Sequence, residues 1–174
     1  MKLLVVRHAV AEERELFAAT GGSEDRRPLT VRGRERMEEG ARGLVRLVKR
    51  VTVLATSPYT RAEQTAAILS AEFGGIEPET LEALRPEGNY RTLSDWLRGL
   101  ARNDTVAIVG HEPHLSGFIC YMVTGREGTF VDLKKGGACL LDLSEPVRPG
   151  AAVLKWALAP NHLRKIGRLP LPPA

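Results

Sequence analysis

The sequence predicts an α/β fold, a three-layer sandwich in which a mostly parallel central sheet carries helices on both faces. Three observations predict it. Short apolar runs rich in β-branched residues recur at 3–6, 51–55 and 105–109 and read as buried strands. Between them lie stretches whose apolar residues repeat at helical spacing. Each run also ends directly on polar residues, at the place where open α/β sheets bind ligands.

Taken in order, Leu3-Leu4-Val5-Val6 leads straight into Arg7-His8. Residues 10–28 are polar, acid-rich and broken by Gly21-Gly22. That length is unusual for an inert connection, and it reads either as a loop over the site or as a mobile segment. From Arg34 to Lys49, Met37, Ala41, Leu44, Val45 and Val48 mark one face of a helix. The strand at 51–55 gives way to Thr56-Ser57-Pro58, where Pro58 suits the first turn of a helix carrying Thr65, Ile68 and Leu69 as far as Phe73. Leu93, Trp96, Leu97 and Leu100 predict a further helix from Tyr90 to Ala101. The strand at 105–109 ends at Gly110-His111-Glu112-Pro113, again leading into a helix. Segments 138–143 and 153–158 flank a turn from Pro146 to Gly150 and read as a hairpin at one side of the sheet. These elements make residues 1–160 one domain. Residues 161–174 are expected to form a basic, Pro-rich tail, since Leu169-Pro170-Leu171-Pro172-Pro173 cannot continue a helix or a central strand.

At 174 residues, with 43% hydrophobic and 26% charged residues, the composition is that of one soluble globular domain. No apolar stretch is long enough to cross a bilayer, and the first residues lack a signal-peptide pattern, so a cytoplasmic protein with no membrane partner is expected. Arg164, Lys165 and Arg168 account for three units of the net charge of +4. That segment has no aromatic interleaving, so it reads as a solvated end and no nucleic-acid partner is expected. Cys120 and Cys139 match no paired-cysteine pattern and read as buried reduced thiols.

The chemistry gathers at three strand ends. Val6-Arg7-His8-Ala9 offers an imidazole that can act as a nucleophile beside a guanidinium that can hold an anion. Ser57-Pro58-Tyr59-Thr60-Arg61-Ala62-Glu63-Gln64-Thr65 places Arg61 near a helix N-terminus, where free N–H groups already favour an anion. Gly110-His111-Glu112-Pro113 supplies a second imidazole. If the three strands are neighbours, Arg7, His8, Arg61 and His111 converge. Ser57 can touch the same anion or cap the following helix, and capping is the expected role. Arg26 and Arg27 can reach a substrate phosphate or pair at the surface with Glu24 and Asp25, and surface pairing is the expected role. His114 and His162 read as ordinary structural histidines without a part in the chemistry. His111 and His114 lack a third ligand at metal-binding spacing, so no metal is expected.

Taken together, Arg-His after the first strand, Ser-Pro-x-x-Arg-Ala-x-Gln-Thr-Ala and Gly-His-x-Pro resemble the histidine phosphatase superfamily, with its phosphoglycerate mutase-like fold. The resemblance covers roughly residues 1–160. Short length, Arg27-Pro28-Leu29-Thr30 followed by Gly33, and Leu84-Arg85-Pro86-Glu87-Gly88 are similar to the SixA-type phosphohistidine phosphatases. Arg61 and His111 are only 50 residues apart, which leaves no room for the pocket-covering insertions of the mutase-like relatives. The resemblance implies a phosphatase without cofactor or required metal, working in phosphorelay signalling on a phosphohistidine-containing protein and releasing inorganic phosphate. It implies His8 as nucleophile, with Arg7, Arg61 and His111 on the phosphoryl oxygens.

Two positions depart from the family pattern. Ala9 stands where the first motif has Gly, and it would be strained if that position needed positive φ. Pro86 stands where mutase-like relatives have a Glu, which leaves the general acid open among Glu82, Glu87 and Glu112. A phosphohistidine P–N bond leaves with less protonation than an alkyl ester, so the missing acid favours that substrate class. The alternatives are a small-molecule phosphomonoesterase and a phosphoprotein-binding module without catalysis.

Overall fold

The computed structural model describes residues 1–170. In chain order the elements are β1 (Lys2–Arg7), α1 (Arg14–Ala19), α2 (Val31–Val48), β2 (Val53–Thr56), α3 (Thr60–Glu72), β3 (Glu79–Thr80), α4 (Tyr90–Arg98), β4 (Thr105–Gly110), α5 (His114–Thr124), β5 (Ala138–Leu143), β6 (Ala152–Leu158) and α6 (Pro160–Gly167). The strands form one six-stranded sheet in the order β3-β2-β4-β1-β5-β6. The first four are parallel, and the β5–β6 hairpin joins antiparallel beside β1. This is a mixed α/β sandwich with a helical layer on each face of the sheet, as the sequence predicts.

β1 sits at the centre, and alternation splits its side chains between two cores. Leu3 and Val5 pack with Val106 and Ile108 of β4 under α4 and α5, through Leu93, Leu97, Leu115 and Phe118. Leu4 and Val6 face the opposite layer, α2, α3 and α6, through Met37, Leu44, Leu69 and Leu163. A strand buried on both faces must be apolar throughout, and each such aliphatic side chain contributes roughly 1.5–3 kcal/mol on burial.

The helix ends follow local chemistry. α2 starts at Val31, earlier than its apolar pattern suggests, because the Thr30 hydroxyl accepts a hydrogen bond from Gly33 N at 2.9 Å. Asn89 caps α4 in the same way through Thr92 N at 3.1 Å, and the helix stops at Arg98, before the predicted Ala101. Residues 160–167, mostly assigned by the sequence to a tail, instead form α6 with Leu163 fully buried against α2. The two helices touch through glycines: a Cβ on Gly43 would lie 2.1 Å from the Leu163 carbonyl oxygen. The periodic signal was weak there because Leu163 and Ile166 are the segment's only large apolar residues. Leu171, Pro172 and Pro173 of the expected tail lie outside the described residues.

Candidate active site

β2, β4 and β1 are adjacent and parallel, so their carboxyl ends open on one edge of the sheet. Arg7 lies opposite Gly110 in the ladder. His8 N donates to the Gly110 carbonyl at 3.0 Å, and Ser57 N donates to the Val109 carbonyl at 3.0 Å. The sheet register thus brings His8, Ser57 and His111 together from positions far apart in sequence. Thr65 ties α3 to this edge, accepting from Ala9 N at 3.1 Å and donating to the Arg61 carbonyl at 2.7 Å. Gln64 accepts from Leu29 N at 2.8 Å and anchors the end of the 10–28 segment. The Gln-Thr pair of the second motif is therefore a clamp on both neighbouring loops.

His8 is buried, and its Nδ1 lies 2.7 Å from the Ala9 carbonyl oxygen. A carbonyl can only accept, so Nδ1 carries the proton and Nε2 keeps its lone pair. That nitrogen faces Arg61, whose Nε donates to it at 3.3 Å. Burial, with Arg61 and Arg7 adding repulsion against the opposing pull of the Ala9 carbonyl, pushes the His8 pKa down to about 3. The ring is neutral at physiological pH. His111 packs 5.1 Å from His8 between ring centroids, and its Nε2 lies 2.8 Å from Ser57 Oγ. Burial and the neighbouring His8 and Arg61 push its pKa down to about 2. Its Nδ1 is buried without a partner.

The cations come from three segments. Arg7 Nη1 donates to the Leu133 carbonyl at 2.6 Å, while its Nε is buried and unpartnered. Arg61 Nη1 donates to the Glu24 carbonyl at 2.8 Å, and its Nη2 lies 3.2 Å from Glu24 Oε1. Arg27 binds the same carboxylate through Nε and Nη2, at 2.9 and 2.8 Å. The sequence favours Arg27 as a surface partner of Glu24 over a contact to substrate phosphate. The pairing is present, but Arg27 is only 6% exposed and lines the cavity. The Arg27-Pro28-Leu29-Thr30 run was its available signal. The 10–28 segment forms one wall of the site, since Glu12, Glu13, Arg14 and Arg27 face a cavity of about 260 Å³ with His8, Arg61 and His111.

The structure sorts the remaining candidates. Ser57 does not cap α3, which starts at Thr60 after Tyr59; its hydroxyl holds His111 instead. Of the three carboxylates, only Glu112 lines the cavity, and partial burial raises its pKa. Glu82 is exposed and paired with Arg85 at 2.6 Å, and Glu87 does not line the cavity. Ala9 needs no left-handed backbone, because Lys49 is the only non-glycine with positive φ among the described residues. The strain anticipated for an alanine there does not arise. His114 is buried against the Tyr90 ring. Lys135, which the sequence reading passed over, stands at the cavity rim.

Two uncharged imidazoles, one with an unprotonated ring nitrogen held by Arg61, share a cavity with Arg7, Arg27 and Arg61. Such an arrangement can hold a tetrahedral oxyanion and present a nitrogen nucleophile to it, the work of a phosphoryl-transfer enzyme. The comparisons agree. The model of the histidine phosphatase superfamily (branch 1) matches residues 3–92, more than half the chain, and the chain belongs to that superfamily of phosphatases. The match takes in the first two strand ends, and His111 joins them through the fold. An uncharacterized protein of Picosynechococcus sp. is 34% identical over 139 residues, covering 79% of this chain and 82% of its own. The solved structure of the protein histidine phosphatase SixA complexed with tungstate superposes with a TM-score of 0.80 at 23% identity, over 94% of this chain and 99% of that one. A phosphoserine phosphatase mutant from Entamoeba histolytica, in complex with phosphoserine, gives 0.67 at 16% identity, over 93% and 98%. Both share the fold.

Proposed function

We propose that this phosphatase removes phosphoryl groups from phosphohistidine side chains of other proteins, through a phosphohistidine formed on its own His8. The observation that carries the reading is the pinned tautomer of His8, with Nδ1 on the Ala9 carbonyl and an unprotonated Nε2 that accepts from Arg61 Nε. In the first step Nε2 attacks phosphorus in line, the new N–P bond forms, and the substrate's P–N bond breaks. The departing imidazole keeps the bond's electron pair and takes a proton from Glu112 or water. In the second step water attacks the His8 phosphoryl group and passes its proton to solvent, the His8 N–P bond breaks with its electron pair returning to Nε2, and inorganic phosphate leaves. Arg7, Arg27 and Arg61 hold the equatorial oxygens, and His111 donates to the transferring group.

The substrate class is supported by the SixA-like fold and by the exposed rim of the cavity, which suits a side chain presented by another protein. A place in phosphorelay signalling in the cytoplasm follows from that class; no helix among the described residues is long and apolar enough to cross a membrane. A second reading, a phosphatase of small phosphomonoesters, is favoured by one feature: Glu112 is a carboxyl group in the cavity whose raised pKa suits a proton donor to an alkoxide.

The test is rapid mixing with a histidine-phosphorylated protein, read by intact mass and acid-labile phosphate, for wild type and His8→Ala. A transient adduct of one phosphate on wild type alone, with the donor dephosphorylated, is the expected result. An intact donor beside rapid hydrolysis of alkyl phosphates would establish the second reading. Inertness to both would leave a binding module.

A further inference from the structure

The molecule's excess positive charge is concentrated beside the site. A groove of about 350 Å³ between α2 and α6 is lined by Arg32, Arg36, Arg164, Lys165 and Arg168 with Glu35 and Glu39. A smaller hollow adjoins it and shares Arg36 and Arg164 with it. That hollow shares Lys135 with the cavity that holds His8. The three depressions form one track from the nucleophile outward across the α2–α6 face.

Lining the groove and the adjoining hollow, six basic residues stand against two acids, an excess equal to the formal net charge of +4 of the whole chain. The rest of the protein is formally neutral. Glu39 pairs with Arg164 and Arg168, at 3.9 and 2.7 Å, whereas Arg32, Arg36, Lys135 and Lys165 have no ion pair among the described residues. These four side chains are exposed. They come from α2, the segment before β5, and α6, so no single charge run in the sequence produces the patch. The basic segment dismissed there as a solvated end is packed onto the same face. Uncompensated like charges held together raise the electrostatic energy of the fold slightly and focus attraction on an acidic partner.

We propose that the α2–α6 face is a docking surface for the phosphorylated protein, and that it selects donors whose phosphohistidine is flanked by an acidic surface. The inference rests on the phosphohistidine reading for its partner, but the docking itself can be tested without turnover. A surface of this kind acts mainly on association and on KM, because it is separate from the reacting atoms.

The probes are two synthetic peptides, each with one histidine phosphorylated by phosphoramidate, flanked on one side by six glutamates or by six serines. The protein is wild type or the double variant Arg36→Glu/Lys165→Glu, in which both exchanged residues are exposed. Wild type should process the glutamate peptide with KM lower by roughly tenfold, and the preference should shrink as salt is raised. The double variant should lose the preference and keep its rate on the serine peptide and on phosphoramidate itself. Equal KM values for the two peptides on wild type, or a preference that survives charge reversal, would overturn the proposal. Fluorescence anisotropy of the unphosphorylated glutamate peptide reads docking alone. Salt-sensitive binding lost in the double variant supports the surface even if neither peptide is dephosphorylated, a result that would defeat only the catalytic reading. Tighter binding of a single-stranded oligonucleotide than of the glutamate peptide, at physiological salt, would overturn the choice of a protein partner.

Discussion

Arg61 Nε donates to His8 Nε2 at 3.3 Å, so the guanidinium that is to hold the phosphoryl group already rests on the proposed nucleophile. The lone pair is directed rather than free. In the proposed reaction an arriving phosphoryl group replaces His8 as the acceptor for Arg61, and that exchange would bring phosphorus next to the attacking nitrogen. Lysine keeps the charge but cannot reproduce the planar fork. Arg61→Lys is expected to lower kcat/KM by about a hundredfold, with Arg61→Ala lower still. Steady-state kinetics on one donor would check this, and equal rates for Lys and Arg would mean that charge alone matters there.

Glu24 holds Arg27 through two hydrogen bonds and also contacts Arg61, and Arg27 beside it keeps its carboxyl below the usual range. Its carboxylate therefore competes with substrate for the same guanidinium groups. Because Glu24 is partly exposed, the competition is screened. Glu24→Gln is expected to tighten inhibition by inorganic phosphate roughly three- to tenfold. Weaker inhibition would show instead that the carboxylate serves to orient the arginines.

Glu112 separates the two substrate readings. Removing its proton should matter for a poor leaving group and much less for an imidazole. Glu112→Gln is expected to slow alkyl phosphate hydrolysis by ~10²-fold while changing phosphohistidine turnover only a few fold. A matched loss on both substrates would assign Glu112 to the water-activating step that they share.

Acid should destabilise the fold through the two imidazoles. In the unfolded chain each binds its proton near pH 6.5, whereas in the fold His8 does so only at about 3 and His111 at about 2. Below pH 6.5 the unfolded state therefore holds more protons, and stability falls as pH falls until the folded values are reached. The slope approaches about 1.4 kcal/mol per pH unit for each group. His114, also lowered by burial, adds to the loss, and Glu112, raised by burial, works in the opposite sense and softens the slope without reversing it. Thermal unfolding should show Tm dropping from pH 6.5 to 4.5, with His8→Gln and His111→Gln each flattening the profile. For the same reason, kcat/KM should show no acid limb near 6.5 from the nucleophile itself.

Much of this was legible in advance because period-two and helical patterns report burial directly. Val5 and Val6 could only be a buried strand, and Met37, Ala41 and Leu44 only one face of a helix. The hairpin of 138–143 and 152–158 followed from its turn. α6 escaped notice because it buries one large side chain, Leu163, and touches α2 through backbone at Gly43 and Gly167. Close approach between glycines leaves no apolar period to read.

The sequence by itself singled out Arg7, His8 and His111 beside apolar runs and Arg61 in the first turn of the helix after one, since an apolar run ending on a polar side chain identifies both the strand and its edge. Only the tertiary structure decided what those residues do to one another. The β2-β4-β1 order placed the imidazoles 5.1 Å apart. Ser57 became the support of His111, Arg27 turned inward, and Glu112 was chosen among three carboxylates. The reason is physical: burial and alternation are properties of neighbours along the chain, whereas hydrogen-bond partners, charge and pKa are set by groups that meet across the sheet.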